Sequence, residues 1–244
     1  MLVDSKPDFN QINKLIQQLH QADFKLILAT AKTAHELIAL NAQLNLPGPF
    51  IVENGGGILF RQEHGVAIPK HATINIGSYR LLKRCGSKPD ITQLQALCDP
   101  ALLVTYMSDI TFARITGLSL IQAALAKIRY FTELIYIKEL APSQLKSLKN
   151  ALRHANIYFT QTTRFLHTCT TKYHHKGAAV NYIMSTMYNG ISCQTFAIGN
   201  DVNDYSMLKT CDHAFYISPH PSKQVEKYYL NWPLAIEAIL NQAL

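Results

Sequence analysis

The stretch FAIGNDVNDYSML, residues 196–208, decides the fold that this sequence predicts. Its apolar start, FAIG, is typical of a buried strand, and the apolar residues after the polar turn GNDVND recur at helical spacing. Two aspartates and two asparagines in a six-residue turn are more than a helix cap needs. We therefore expect a strand, a ligand-binding turn and a helix in that order, with oxygen ligands that suit a hard cation such as magnesium.

The segments before residue 61 and after residue 165 continue this alternation of strands and helices. Near the start of the chain, the apolar run KLILAT ends at Thr30, a helical pattern covers residues 33–42, and GPFIVENGGG predicts a strand closed by a tight glycine turn. A helix at residues 176–187, the strands QTFAIG and HAFYIS, and a last helix give the same order near the end. This pattern predicts a Rossmann-like α/β core with a parallel sheet, formed by residues 1–60 and 166–244.

Residues 61–165 have a different character. Hairpin-like strands such as LIYIKEL and IYFTQTTRFLHTC alternate there with amphipathic helices such as SQLKSLKNALRHA. This mixture predicts an α+β cap domain that is inserted into the α/β core.

The composition excludes several classes of protein. The 244 residues are 48% hydrophobic, enough for a substantial core, and no segment approaches eighteen uncharged apolar residues. The first residues, MLVDSKPDFNQ, lack a basic region followed by an apolar run, so we expect a cytoplasmic protein without a membrane span. Five cysteines without a CxxC pair argue against disulfides and thiolate zinc. The formal charge of +7 is scattered, which argues against nucleic acid as a partner.

Three polar segments fall where strands end and helices begin. Thr30 follows the first apolar strand, Lys176 begins a helix, and GNDVND follows the strand QTFAIG. In an open parallel sheet, ligands bind at the carboxyl ends of the strands. A hydroxyl group, an ammonium group and oxygen ligands for a cation at one sheet edge are what phosphoryl transfer requires. We therefore expect a small phosphorylated molecule as the ligand.

The same segments carry a family resemblance. ATAKT, HKGAAV and GNDVNDYSML resemble motifs two, three and four of the haloacid dehalogenase superfamily, in the subgroup with an α+β cap after the third core strand. LILATAKTAHEL, PFIVENGGGI, ITGLSLIQAALAKIRYFTE and RFLHTCTTKYHHKGAAV resemble the mannosyl-3-phosphoglycerate phosphatases. The resemblance covers nearly the whole chain. It implies a magnesium-dependent phosphatase that converts mannosyl-3-phosphoglycerate into mannosylglycerate.

The resemblance also implies roles for individual residues. The catalytic residues would be Thr30, which donates a hydrogen bond to the phosphate, Lys176, whose charge steadies the phosphate and the nucleophile, and Asp204. The magnesium ligands would be Asn200, Asp201 and Asn203. The substrate-binding residues would be Lys32, Asn54, Arg129, Thr132, Glu133 and Arg164, although ordinary surface charge is an equal alternative for those in the cap.

The sequence departs from this family at the first motif. The family's nucleophile is an aspartate in a DxDGT turn, which this sequence lacks; Asp4 is the only early candidate, and Lys6 stands where the acid/base would be. MLVD matches the residues after DxDGT, so we expect either a start upstream of Met1 or a rearranged core without its central first strand. Asn200 also replaces a charged magnesium ligand by a neutral one, which weakens cation binding.

Three hypotheses follow from these observations. The first is a phosphatase of this family that is impaired in the chain as given. The second is a non-catalytic relative that binds a phosphosugar or phosphoglycerate, which the neutral Asn200 favours. The third and weakest is nucleic-acid binding through the basic surface.

Overall fold

The computed structural model describes residues 9–62, 68–218, 228–229 and 231–243, so that Asp4 and Lys6 lie outside the described residues. The α-helices are α1 (Phe9–Gln21), α2 (Ala34–Leu44), α3 (Ile91–Gln95), α4 (Asp109–Thr116), α5 (Leu120–Lys127), α6 (Pro142–His154), α7 (Lys176–Met187), α8 (Tyr205–Leu208) and α9 (Trp232–Ala243). The strands are β1 (Phe50–Val52), β2 (Gly57–Arg61), β3 (Ile74–Ile76), β4 (Tyr79–Lys83), β5 (Glu133–Tyr136), β6 (Tyr158–Gln161), β7 (Phe165–Cys169), β8 (Phe196–Gly199), β9 (His213–Ile217) and β10 (Tyr228–Tyr229).

The core contains two separate sheets. One has the order β1-β2-β4-β3 and is antiparallel, while the other has the order β10-β9-β8 and is parallel. Helices α1, α2 and α9 cover one side of these sheets, and α7 and α8 cover the other side. The α/β fold predicted from the sequence is therefore present, with helices on both faces of the strands.

The predicted first strand, KLILAT, is only partly formed. Ala29 makes a single parallel bridge to Ile51, and residues 25–30 form no longer ladder. The prediction of a regular strand is wrong because only residues 28–30 hydrogen-bond to β1 and the turn after it, while residues 25–27 make no backbone–backbone hydrogen bond within the described ranges. Ala29 instead packs by its side chain against the cluster that contains Ala197.

The two core sheets meet where the sequence predicts a missing central strand. In the described ranges, no backbone hydrogen bond joins residues 25–30 to β8. Leu28 and Ile198, which would lie inside a continuous sheet, are only partly buried. Among the described residues, side-chain packing rather than a continuous hydrogen-bonded sheet holds the core together here.

The cap is built on an antiparallel sheet of order β5-β7-β6. Helices α3 and α6 pack on one face of this sheet through a cluster of leucine and isoleucine side chains. Helices α4 and α5 pack on the other face around Phe112 and Phe165. This arrangement agrees with the predicted α+β composition of the cap.

The boundary between the two domains remains a proposal. The predicted division after residue 60 falls within β2; β4 pairs with that strand, and β3 pairs with β4. Across the parts of the chain that the structure describes, no helix has the length and apolar character needed to cross a membrane.

Candidate active site

A buried ion pair joins α7 to the turn GNDVND (residues 199–204) after β8, called the acidic turn below. Lys176, the first residue of α7, donates from Nζ to Asp204 Oδ1, and the two side chains are 6% and 7% exposed. Asp204 Oδ2 accepts from the backbone N–H of Asn200 at 2.9 Å and of Asp201 at 3.1 Å. Asp204 therefore fixes both the lysine and the turn. The lysine has three N–H donors, so it can also bind an anion.

A glycine allows this approach of α7 to the acidic turn. A Cβ atom on Gly177 would lie 2.2 Å from the backbone oxygen of Ser206. The N–H of Gly177 also donates to Ser206 Oγ at 3.2 Å. Any side chain at residue 177 would therefore push Lys176 away from Asp204.

Thr30 begins a compact turn that leads into α2. Its Oγ1 atom accepts from the N–H of Lys32 at 3.1 Å, which leaves its own hydroxyl hydrogen available as a donor. Thr33 caps α2 by accepting from the N–H of Glu36, whose carboxylate binds the N–H of Thr33 in return. Lys32 lies at the same turn and is 3.3 Å from Glu36. The turn therefore presents a hydroxyl group and an ammonium group at a helix N-terminus.

Asn54 connects the Thr30 turn to the acidic turn. Its N–H donates to the backbone oxygen of Thr30 at 2.9 Å, and its side-chain oxygen accepts from Asn203 Nδ2 at 3.1 Å. Asn203 is next to Asp204, which binds Lys176. An unbroken series of contacts thus joins the three segments that the sequence analysis singled out.

Unpaired polar atoms are concentrated on the segments that meet here. Buried polar atoms in proteins nearly always have a partner, so such a concentration indicates space for a polar ligand or for water. Within the described residues, the buried side-chain atoms without a hydrogen-bond partner are His35 Nδ1, Asn54 Nδ2, His167 Nδ1, His174 Nδ1 and Asn203 Oδ1.

Two of the predicted substrate-binding residues lie buried between cap and core. Arg129 is 8% exposed, and its Nη2 atom donates to the backbone oxygen of Ala31 at 3.1 Å. Thr132 is fully buried, and its hydroxyl group donates to Glu53 Oε2 at 2.7 Å and accepts from Arg129 Nε at 2.7 Å. The alternative of ordinary surface charge is therefore wrong for Arg129. Contact of either residue with a substrate remains a prediction.

The other two predicted cap residues have partners away from these segments. Glu133 forms an ion pair with Lys88 at 3.7 Å, and strand alternation turns it to the opposite sheet face from Leu134. Arg164 donates to the backbone oxygens of Ile115 and Thr116 at 3.2 and 2.9 Å, at the C-terminal end of α4. The structure does not bring these two side chains to Lys176. Their predicted role in substrate binding remains untested.

The structure also reveals site residues that the sequence analysis missed. Burial lowers the pKa of His174 to about 4, although the nearby Glu53 opposes the shift. Burial lowers the pKa of His167 well below its usual value, and the positive charges of Arg129 and Lys176 add to this effect. Both imidazoles are therefore neutral at pH 7 and can accept or donate one hydrogen bond at each ring nitrogen. The adjacent histidines in TKYHHK were the available sequence signal for His174 but not for His167, which lies on β7.

The described residues do not by themselves provide a good magnesium site. Magnesium prefers one or two carboxylates together with water and substrate oxygens. Both carboxylate oxygens of Asp204 already accept hydrogen bonds, one from Lys176 and the other from backbone N–H groups. Asp201 accepts a hydrogen bond from the N–H of Val202 at 2.7 Å. The described ranges contain no group of three His, Cys, Asp or Glu side chains arranged for a metal. Asn203 Oδ1 remains as a buried oxygen without a partner.

A cavity lies away from these segments, at the end of the core where the strands begin. It has a volume of about 630 Å³ and lies between the start of β1 and the last turn of α7. Its walls include Leu26, Pro49, Tyr182 and Met187 and are mostly apolar. The lining also includes His20, Lys25 and His71, and no residue of the Thr30, Lys176 and GNDVND segments belongs to it.

The fold and the site define a capped α/β protein in which the Thr30, Lys176 and GNDVND segments are joined by hydrogen bonds. The profile of haloacid dehalogenase-like hydrolases matches residues 2–219, and the chain belongs to this family.

This chain is similar over most of its length to two named relatives and to a solved structure. The glucosyl-3-phosphoglycerate/mannosyl-3-phosphoglycerate phosphatase of Persephonella marina is 27% identical over 234 residues, covering 91% of this chain and 82% of the relative. The protein of that name from Methanococcoides burtonii is 26% identical over 214 residues, covering 84% and 76%. A crystal structure of a Thermoplasma acidophilum protein aligns with a TM-score of 0.67 at 12% identity, covering 96% and 89%.

Proposed function

We propose that this chain is a phosphatase-type protein that acts on a sugar-glycerate phosphate such as mannosyl-3-phosphoglycerate or glucosyl-3-phosphoglycerate. The observation that carries the proposal is the connected set of Thr30, Asn54, Asn203, Asp204 and Lys176. The names of the two relatives support the choice of substrate. Family membership supports the reaction type.

The residues of the site have complementary roles in this proposal. The ammonium group of Lys176 neutralises phosphate charge in a buried position, where a charge interaction is stronger than in water. The hydroxyl group of Thr30 donates to a phosphate oxygen, and Asp204 keeps the lysine in place. The unpaired atoms Asn203 Oδ1 and His174 Nδ1 can accept hydrogen bonds from sugar hydroxyl groups.

The tautomer of His174 supports a hydroxylated ligand. Its Nε2 atom contacts the backbone oxygen of Glu53, which can only accept a hydrogen bond. The proton of the neutral ring must therefore be on Nε2, and Nδ1 is left as an acceptor. A hydroxyl group is a suitable donor to this atom.

Release of inorganic phosphate from mannosyl-3-phosphoglycerate tests the proposal. Wild-type chain and Lys176→Ala are compared at equal concentration, with and without magnesium. Any turnover that the wild type shows should exceed that of Lys176→Ala by at least about a hundredfold, the usual size of the loss when one transition-state donor is removed. Equal rates in the two proteins would contradict the assignment of Lys176.

A non-catalytic binding protein is the second candidate. It is favoured by the internal use of both aspartates in GNDVND and by the neutral Asn200. A nucleophilic aspartate has no counterpart among the described residues of the site. Calorimetric titration with mannosyl-3-phosphoglycerate separates the candidates: saturable heat without phosphate release indicates binding alone, and no heat excludes both. The cytoplasmic location remains a prediction.

A further inference from the structure

The carboxylate of Glu53 connects the core to the cap. Glu53 belongs to the turn after β1 and is fully buried. Its Oε1 atom accepts from the N–H of Tyr130 at 2.8 Å, and Oε2 accepts from the N–H groups of Phe131 and Thr132 at 3.1 and 2.9 Å. These three residues form the cap turn between α5 and β5. One core side chain therefore satisfies three consecutive backbone donors of the cap.

The backbone of Glu53 is held in an unusual conformation. Its φ angle is +46°, in the left-handed region that residues other than glycine rarely occupy. Its N–H donates to the backbone oxygen of Lys32 at 2.9 Å, and its own oxygen accepts from the N–H of Gly56 at 3.2 Å. The core thus fixes the backbone of Glu53 so that its carboxylate points at the cap turn.

The three glycines after Asn54 make room for this contact. A Cβ atom on Gly56 would lie 2.4 Å from His174 Cε1 and 2.5 Å from Phe131 Cβ. The glycine turn therefore allows the cap turn to approach the core closely enough for the hydrogen bonds to Glu53.

Arg129 extends the connection to the turn that begins at Thr30. Its Nε atom is 3.7 Å from Glu53 Oε2 and donates to Thr132 Oγ1 at 2.7 Å. Its Nη2 atom donates to the backbone oxygen of Ala31, the residue after Thr30. The guanidinium group therefore contacts the carboxylate, the cap turn and the Thr30 turn at once, as its planar fork of donors permits.

We propose that Glu53 is a positioning residue that makes the conformation of the Thr30 turn depend on docking of the cap. When the cap turn binds Glu53, Arg129 is placed against the oxygen of Ala31 and fixes the peptide between Ala31 and Lys32. When the cap turn leaves Glu53, this contact is lost and the Thr30 turn loosens. The link to phosphate binding rests on the proposed function, whereas the coupling between the two turns does not.

Amide hydrogen exchange measured residue by residue by NMR tests the coupling. The proteins are the wild type, Glu53→Gln, Arg129→Lys and the control Glu133→Gln, which changes a second buried acid near the same turn. In Glu53→Gln we expect exchange at Phe131, Lys32 and related amides of both turns to be at least about tenfold faster, because hydrogen bonds to a charged group are lost.

Arg129→Lys gives the decisive comparison. It keeps the bonds from the cap turn to Glu53 but loses the contact with Ala31, so Lys32 and Thr33 should exchange at least about tenfold faster while Phe131 changes little. Glu133→Gln should change neither turn. The proposal is overturned if Arg129→Lys leaves exchange at Lys32 and Thr33 unchanged. It is also overturned if the variants accelerate exchange to the same extent throughout the cap helix α6, because that result would mean general destabilisation rather than coupling of the two turns.

A titration with inorganic phosphate separates this proposal from the proposed function. We expect the wild type to bind phosphate and Arg129→Lys to bind it at least about fivefold more weakly, within the range of coupling free energies between sites. Equal affinity despite a loosened Thr30 turn would overturn the link to phosphate. If the wild type does not bind phosphate, the proposed function fails, and the exchange rates still decide whether the two turns are coupled.

Discussion

Replacement of Asp204 by asparagine removes the negative charge that pairs with Lys176. The two side chains are 6% and 7% exposed, so the lysine left behind has little access to water. An asparagine oxygen can still accept from the N–H groups of Asn200 and Asp201. The substitution therefore changes mainly the charge balance of the buried pair.

The expected loss of stability is large. Removing one partner of a buried ion pair costs about 3 to 5 kcal/mol, because the other charge stays buried without compensation. We take about 3 kcal/mol for Asp204→Asn, since the backbone hydrogen bonds can persist. With a urea dependence of about 3 kcal/mol/M, the unfolding midpoint should fall by about 1 M.

Urea denaturation followed by circular dichroism measures this effect. Asp212→Asn is the matched control, because Asp212 also accepts two hydrogen bonds, from the N–H and the hydroxyl group of Thr195, but is exposed. We expect the control to lose less than about 1 kcal/mol. The double variant with Lys176→Met should recover at least about 1 kcal/mol relative to the sum of the single losses. A loss below about 1 kcal/mol in Asp204→Asn, or strict additivity, would refute the reasoning.

Three further predictions concern other parts of the site. Because the folded pKa of His174 is lowered to about 4, the unfolded chain binds an extra proton below pH 6.5, and stability should fall between pH 6.5 and 4. The free energy of unfolding should depend less steeply on pH in His174→Gln than in the wild type, with a difference of up to on the order of 3 kcal/mol across this range. Equal slopes would contradict the assignment. Gly56→Ala should lower the free energy of unfolding by about 1 to 3 kcal/mol through overpacking. The control Gly77→Ala, whose new Cβ atom would have no neighbour within 4 Å, should lower it by about 1 kcal/mol through its backbone conformation alone. Thermal unfolding compares the two variants, and the reverse order would be inconsistent with the close approach at Gly56. Asn200→Asp should bind magnesium at least about tenfold more tightly by calorimetry, because a charged oxygen replaces a neutral one; unchanged affinity would remove residue 200 from the metal-ligand set.

The elements around the site follow closely from local sequence signals. The helix predicted at residues 176–187 is α7, because a capping side chain on His175 and a continuous helical pattern agree. The sequence analysis expected the Thr30, Lys176 and GNDVND segments to meet because ligands bind at the carboxyl ends of parallel strands, and the contacts through Asn54 and Asn203 bring them together although KLILAT and β8 do not pair.

The contacts between cap and core could not be predicted in the same way. Arg129 binds an oxygen 98 positions earlier in the chain, and the Tyr130 amide binds a carboxylate 77 positions earlier. No local pattern distinguishes such an arginine from surface charge. The left-handed backbone of Glu53 is likewise imposed by distant partners rather than by its own preference. The strand KLILAT failed for a related reason, because pairing depends on neighbours that the segment itself does not specify.

A titration of the labelled protein with mannosyl-3-phosphoglycerate, followed by amide chemical shifts, tests the central claim most directly. Binding of one phosphate group by the three segments predicts that the amides of Lys32, Gly177 and Asp201 shift together and saturate with one dissociation constant. Shifts that saturate with different constants, or that occur instead around Tyr182 at the apolar cavity, would contradict a common phosphate site.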